Sequence, residues 1–105
     1  MQQLETRDQF NQLKNNENVI FVFSAGWCPD CRVIEPVLPE IEEKYADFTF
    51  VEVNRDDFIE VCQEHDIYGI PSFLAFMNGE EAGRFVSKDR KTKEEIIQFI
   101  DGFAK

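Results

Sequence analysis

Two stretches of the chain carry almost continuous apolar residues. They are VIFVFS at 19–24 and TFVEVN at 49–54, and both are rich in β-branched and aromatic residues. An apolar run of this length without regular polar alternation is typical of a strand that is covered on both faces of its sheet. The pattern therefore predicts two buried strands.

A third apolar run, SFLAFM at 72–77, is followed by Asn78-Gly79. Asn-Gly between two strand-like segments is a strong short-range signal for a β-hairpin, because both residues tolerate positive φ angles. We expect the second strand of this hairpin near residues 82–87. A short extended segment at 2–4 would add a strand near the N-terminus.

Helical spacing of apolar residues separates these strands. Thr6 with Gln9 and Thr92 with Glu95 have the spacing of capping boxes, which begin helices. The stretch that contains the first two cysteines opens a long helical pattern, and Pro36 inside it should kink the helix. Residues that share a helix face are Phe10 and Leu13; Val33 or Ile34, Val37, Leu38, Ile41 and Tyr45; Phe58, Val61 and Cys62 within a short helix at 57–65; and Ile96, Phe99, Ile100 and Phe103.

The predicted order of elements is β-α-β-α-β-α-β-β-α. Strands that are separated by helices pair in parallel through right-handed crossovers, and the closing hairpin adds antiparallel strands at one side. The prediction is an α/β fold with a central mixed β-sheet and helices on both faces. No linker or internal repeat interrupts the pattern, so we expect one domain over residues 1–105.

Composition and charge narrow the possible partners. The 105 residues include eleven Phe and are 43% hydrophobic, which is enough for a real core. The net charge of −10 should repel nucleic acid and anionic membrane surfaces. The apolar runs are too short to cross a bilayer. Three cysteines and a polar start, MQQLETRDQF, lead us to expect a reducing compartment, the cytoplasm, and a monomer.

Two of the three cysteines stand in AGWCPDCR at 25–32. Such a pair can be half a zinc site, a structural disulfide or a redox centre. It falls between a buried strand and a helix start, and Pro29 suits the first helical position. Free N–H groups and the helix dipole there favour a thiolate at Cys28, which we expect to be exposed. Cys31 lies on the same side of the helix, where it can form a disulfide with Cys28.

The chain resembles the thioredoxin family. The resemblance runs from about residue 2 to the C-terminus and rests on WCPDC after a β-branched strand, Pro36, Ile70-Pro71 and FMNGEEAGRF. It implies a thioredoxin fold and a thiol–disulfide oxidoreductase that needs no cofactor or metal. It further implies that Cys28 is the nucleophile, Cys31 the resolving thiol and Pro71 a cis-proline packed against them. Trp27, Pro29, Gly69, Ile70 and Pro71 would then contact the substrate, which is a protein or small-molecule disulfide. A thioredoxin-reductase-like protein or a low-molecular-weight thiol would supply electrons.

Three positions depart from the usual family pattern. A buried aspartate is replaced by Val22, a neighbouring lysine by Glu52, and a glycine of the substrate groove by Ser87, whose side chain should narrow or polarise the groove. The missing acid leaves Glu52 as the nearest candidate to accept the proton of Cys31, since a buried carboxylate without a cationic partner exchanges protons near neutrality. Asp30, between the cysteines, opposes a thiolate by like-charge repulsion but favours the helix start.

Other readings of the cysteines stay open at this point. Cys62 and His65 would complete a three-cysteine, one-histidine zinc pattern, although Cys62 also fits an apolar helix face. The chain could be a redox-sensing binding module. It could also reduce mixed disulfides between proteins and low-molecular-weight thiols, a reaction that can proceed with Cys28 alone.

Overall fold

A computed structural model describes residues 1–104, and the last residue of the predicted domain, Lys105, lies outside the described residues. Its sheet has five strands in the order β1-β3-β2-β4-β5. The strands are β1 (Gln2–Gln3), β2 (Val19–Ser24), β3 (Thr49–Asn54), β4 (Ser72–Met77) and β5 (Glu80–Phe85). The helices are α1 (Arg7–Asn16), α2 (Pro29–Ile34), α3 (Leu38–Lys44), α4 (Ile59–Glu64) and α5 (Lys93–Asp101).

The sheet is mixed, as predicted. Strand β3 pairs in parallel with β1 and β2, whereas β4 pairs antiparallel with both β2 and β5. In the β2–β3 register Val22 stands opposite Glu52. The carboxyl ends of the parallel strands β2 and β3 therefore lie at one edge, which is where such sheets hold their sites.

Apolar residues cover both faces of the sheet. Along β2, alternate side chains enter opposite packing clusters, so that Phe21 packs with Phe10 of α1 and Val22 packs with Ile41 of α3. These four side chains are at most 1% exposed. The helices thus sandwich the sheet, and β2 and β4 are buried along almost their whole length.

The structure refines two of the predicted elements, the helix that contains Pro36 and the hairpin. Pro36 falls in a 3-10 turn, Glu35–Val37, that separates α2 from α3, and Ile34 rather than Val33 faces the core. The turn of the hairpin uses only Asn78 and Gly79, both with positive φ, so β5 begins at Glu80 instead of near 82. No helix within residues 1–104 combines the length and apolarity that a bilayer span requires.

Candidate functional site

The cysteine pair begins α2, directly after the carboxyl end of β2. Cys28 is the N-cap residue, and Pro29 occupies the first turn, where its missing N–H has no helical partner to lose. The N–H of Cys31 donates to Cys28 Sγ over 3.2 Å. The two sulfur atoms are at bonding distance, with Cα atoms 5.3 Å apart. The pair is therefore a disulfide in this structure.

Both cysteines are buried, although the sequence suggested an exposed Cys28. Cys28 is 4% exposed and Cys31 is 7% exposed, so the expectation of an exposed Cys28 is wrong for the disulfide form. Ala25 and Ile70 pack against the pair. The N-cap position turns Cys28 Sγ over the start of α2, where neighbouring segments cover it.

We call the surface beside Cys28 the groove face; it comprises Trp27, the segment 69–71 before β4 and the loop 86–91 after β5. The carbonyl oxygen of Ile70 lies 3.9 Å from Cys28 Sγ, and the Ile70–Pro71 peptide is cis. A Cβ atom on Gly69 would overlap the backbone of Ser87 and Lys88. The predicted residues 69–71 are therefore placed beside Cys28, and loop 86–91 packs closely against them.

Trp27 is the exposed aromatic residue of the groove face, as the sequence suggested. The residue is 59% exposed, while its Nε1–H donates to Asp56 over 2.8 Å and the Arg55 guanidinium lies 5.7 Å from the ring centroid. These contacts fix the ring and leave apolar surface free next to the disulfide.

Loop 86–91 is held by a buried lysine. Lys91 is 1% exposed, and its ammonium group donates to the carbonyl oxygens of Ser87 (3.2 Å) and Asp89 (3.0 Å) and to Ser87 Oγ (3.1 Å). Burial lowers the pKa of Lys91. The Ser87 hydroxyl also accepts from the N–H of Asp89, so it helps to fix the loop, a role that the sequence did not suggest.

Asp30 is paired with a cation that the sequence did not connect to the site. Arg90 Nε donates to Asp30 Oδ1 over 3.0 Å, which links loop 86–91 to α2. The sequence carries no signal for this pair, because the two residues are sixty positions apart and an Arg-Lys-Thr-Lys run normally indicates a solvated loop. The carboxylate between the cysteines is thus partly balanced by a guanidinium.

We call the space on the opposite side of the pair the rear cleft. It has a volume of about 380 Å³ and is lined by Gln3, Leu4, Val22, Ser24, Ala25, Gly26, Cys31, Arg32, Ile34, Glu35, Leu38, Glu52, Asn54 and Asp57. Cys31 and Glu52 therefore line the same space. Glu52 is only half-buried, which corrects the expectation of a largely buried carboxylate. Its two oxygens accept from Ser24 Oγ (2.7 Å) and Gln3 Nε2 (3.3 Å).

The third cysteine lies elsewhere in the protein. Cys62 packs with Phe10, Phe21 and Val61 on one face of the sheet, and burial raises the pKa of its thiol. His65 Nδ1 lies 3.0 Å from the carbonyl oxygen of Val61. Within residues 1–104, no group of three or more His, Cys, Asp or Glu side chains converges as metal ligands would. The arrangement does not support the zinc alternative.

Comparisons with known proteins agree with this geometry. A family model described as thioredoxin matches residues 2–102. The chain is 31% identical to thioredoxin of Sus scrofa over 92% of this chain and 95% of that protein. It is 34% identical to thioredoxin H2-1 of Oryza sativa over 83% of this chain and 64% of the rice protein. A thioredoxin structure from Plasmodium falciparum superimposes with a TM-score of 0.86 over 99% of this chain and 100% of that chain, at 24% identity.

Proposed function

The chain belongs to the thioredoxin family and is a thiol–disulfide oxidoreductase, and we propose that it works as a disulfide reductase in which Cys28 attacks and Cys31 resolves. One observation carries the assignment of roles. Cys28 Sγ accepts the N–H of Cys31 at the start of α2, and such donation stabilises negative charge on sulfur. Cys31 lies inside the first turn of the helix.

The reaction follows from thiol–disulfide exchange. The Cys28 thiolate attacks one sulfur of the substrate disulfide, a mixed disulfide forms, and the other substrate sulfur leaves as a thiolate that takes up a proton. Cys31 then loses its proton, attacks Cys28 Sγ and expels the second substrate thiolate. The substrate gains two electrons and becomes a dithiol, while Cys28 and Cys31 end as the observed disulfide. A reductase partner or a low-molecular-weight thiol must return two electrons for the next cycle.

The groove face supplies the substrate-binding surface. Trp27 offers an exposed apolar ring, and the carbonyl group of Ile70 lies next to the sulfur that is attacked. An extended peptide laid along residues 69–71 would place its own disulfide over Cys28, with Pro29 at the edge of the contact. These residues therefore select extended, disulfide-bearing segments.

In the rear cleft, Glu52 is our candidate for the proton acceptor of Cys31. Both residues line the same space, and Ser24 and Gln3 hold the Glu52 carboxylate in place. Val22, opposite Glu52 in the sheet, cannot carry protons. Proton transfer over this space needs one or more water molecules, for which the cleft has room.

We expect the protein to act as a monomer in a reducing compartment such as the cytoplasm, because a reductase depends on a supply of electrons from thiols. Trapping tests the whole assignment. Cys31→Ser should accumulate mixed disulfides on Cys28, and mass spectrometry of the trapped species would show whether the partner is a protein or a low-molecular-weight thiol. The double variant Cys28→Ser/Cys31→Ser is the control and should trap nothing. Equal trapping by both variants would contradict the proposal.

A further inference from the structure

The charged groups around Cys28 fall on two sides of the pair. On the groove face they are Asp30 of α2, Lys88, Asp89, Arg90 and Lys91 of loop 86–91, and Arg55 and Asp56 beside Trp27. On the rear-cleft side they are Arg32, Glu35, Glu52 and Asp57. Segment 69–71, which covers Cys28, contributes no titratable side chain. Most of the cations are already engaged. Arg32 donates to the Gly26 carbonyl, and the Lys91 ammonium donates to Ser87 and Asp89.

Arg90 differs from these cations in what it contacts. Its Nε–H donates to the carboxylate of Asp30, which stands between the two cysteines in sequence. Asp30 lies in the first turn of α2, where the dipole favours its charge, but the same negative charge opposes a thiolate at Cys28. A guanidinium on this carboxylate reduces the opposition and leaves the benefit to the helix.

The backbone that carries Arg90 is fixed on three sides. The Lys91 ammonium group donates to the Ser87 carbonyl oxygen inside the loop. The hydroxyl group of Tyr68 donates to the Val86 carbonyl oxygen over 3.1 Å. The Ser87 backbone approaches Gly69 so closely that a Cβ atom would not fit. Because the loop backbone is ordered in advance, the ion pair costs only the ordering of the Arg90 and Asp30 side chains.

We propose that Arg90 is a positioning residue of the active site, which acts through its ion pair with Asp30 to keep the Cys28 thiolate reactive. The proposal rests on the proposed role of Cys28 as the nucleophile. It assigns to loop 86–91 a contribution to reactivity in addition to its place in the substrate groove.

The test measures alkylation of Cys28 in the reduced, full-length protein, with each cysteine followed separately by peptide mass spectrometry. The thiolate displaces iodide from iodoacetamide and forms a thioether, so the rate reports the thiolate fraction. At neutral pH and low salt, Arg90→Ala should slow Cys28 alkylation by about two- to fivefold, the range of an exposed ion pair. The rates should converge at high pH, where the thiol is fully ionised, and in about 1 M salt, where the pair is screened.

Three further substitutions separate the ion pair from net charge. Lys44→Ala removes the same charge from the end of α3, outside the groove face and the rear cleft, and Lys44 makes no ion pair within the described part of the chain, residues 1–104. It should leave the rate unchanged. In an Asp30→Asn variant, Arg90 has no carboxylate at residue 30 to pair with. Adding Arg90→Ala to that variant should therefore slow Cys28 alkylation by less than half as much as Arg90→Ala does in the unmodified protein. Arg90→Lys, which keeps the charge, should restore part of the rate.

Three results would overturn the inference: an unchanged rate in Arg90→Ala, equal slowing by Lys44→Ala, or an equal effect of Arg90→Ala with and without Asp30. Each of these can occur while Cys28 remains the first cysteine alkylated, and the proposed function then stands. Alkylation of Cys31 before Cys28 would overturn the assignment of roles, and this inference with it.

Discussion

The groove face and the rear cleft border the same disulfide but are built differently. On the groove face, segments from three parts of the chain are tied to one another, the buried Lys91 holds loop 86–91, and Arg90 balances the charge of Asp30. The rear cleft holds open space, one guanidinium group, that of Arg32, and three carboxylates, those of Glu35, Glu52 and Asp57. A rigid, charge-balanced side suits attack on a bound substrate, whereas an open polar side suits proton exchange with water.

Removing each sulfur atom in turn should have the largest effect and tests whether Cys28 and Cys31 have different roles. Cys28→Ser should abolish reduction of a small aromatic disulfide, because Cys28 is the cysteine at the N-cap of α2, whereas Cys31 lies inside the first turn. Cys31→Ser should still release one equivalent of the chromophoric thiol in a single turnover and then stop at the mixed disulfide. Both outcomes are read from absorbance in a stopped-flow instrument. Residual attack by Cys28→Ser at the rate of Cys31→Ser would reverse the two roles.

Glu52→Gln tests the chemistry of the rear cleft. If Glu52 accepts the proton of Cys31, the substitution should slow resolution of the mixed disulfide by about 10²-fold, the lower end of acid–base contributions, and flatten its pH profile. The initial attack by Cys28 should not change.

The matched control for this variant is Glu35→Gln, which removes a carboxylate from the same cleft. It should leave resolution unchanged. Resolution rates of Glu52→Gln that equal those of the unmodified protein from about pH 6 to 9 would exclude Glu52 as the base.

Gly69→Ala tests whether the groove face is as closely packed as it looks. The added Cβ meets the backbone of Ser87 and Lys88, which cannot move as a flexible side chain could, so we expect a loss of about 1–3 kcal/mol in the free energy of unfolding. The KM for a peptide disulfide should rise as well.

Gly26→Ala offers the comparison for this effect, because a Cβ there meets nothing within 4 Å. Urea denaturation of both variants measures the difference. If the two substitutions lower the free energy of unfolding by the same amount, the contact between residues 69 and 87 is looser than the structure indicates.

The smallest expected effect concerns Lys91. Burial lowers its pKa in the folded protein below the value of 10.5 that it has when unfolded. In the interval just below pH 10.5 the unfolded chain therefore binds more protons than the folded one, and stability rises with pH. Subtracting the stability curve of Lys91→Met from that of the unmodified protein should reveal this rise. If the difference in stability between the two proteins does not change with pH up to 10.5, Lys91 is well hydrated in the folded protein.

Local patterns were sufficient to predict most of the fold. The strands at 19–24, 49–54 and 72–77 lie where the apolar runs placed them, and Thr92 forms the expected capping box with Glu95. Each of these signals depends on neighbouring residues only. The start of β5 was misplaced by two residues, because strand ends in an exposed segment with few apolar residues have no such signal.

The site was predictable only in part. The spacing of Cys28 and Cys31 and the position of Pro29 indicated the redox pair, and the structure places them at the start of α2. The burial of Lys91 and its contact with the loop could not be predicted, since a lysine between polar residues normally faces solvent. The Arg90–Asp30 pair depends on how β5 ends relative to α2, which is a property of the tertiary fold.

The burial of Cys62 has a practical consequence for counting electrons. Its thiol sits among aromatic and aliphatic side chains with a raised pKa, so it is a poor nucleophile and is shielded from disulfides. Under native conditions a reagent should therefore titrate two thiols in the reduced protein and none in the oxidised form, and the third only after denaturation. The chain can cycle between these states without scrambling its disulfide or linking to a second copy. Each turnover then transfers one pair of electrons, and the odd cysteine does not enter the stoichiometry.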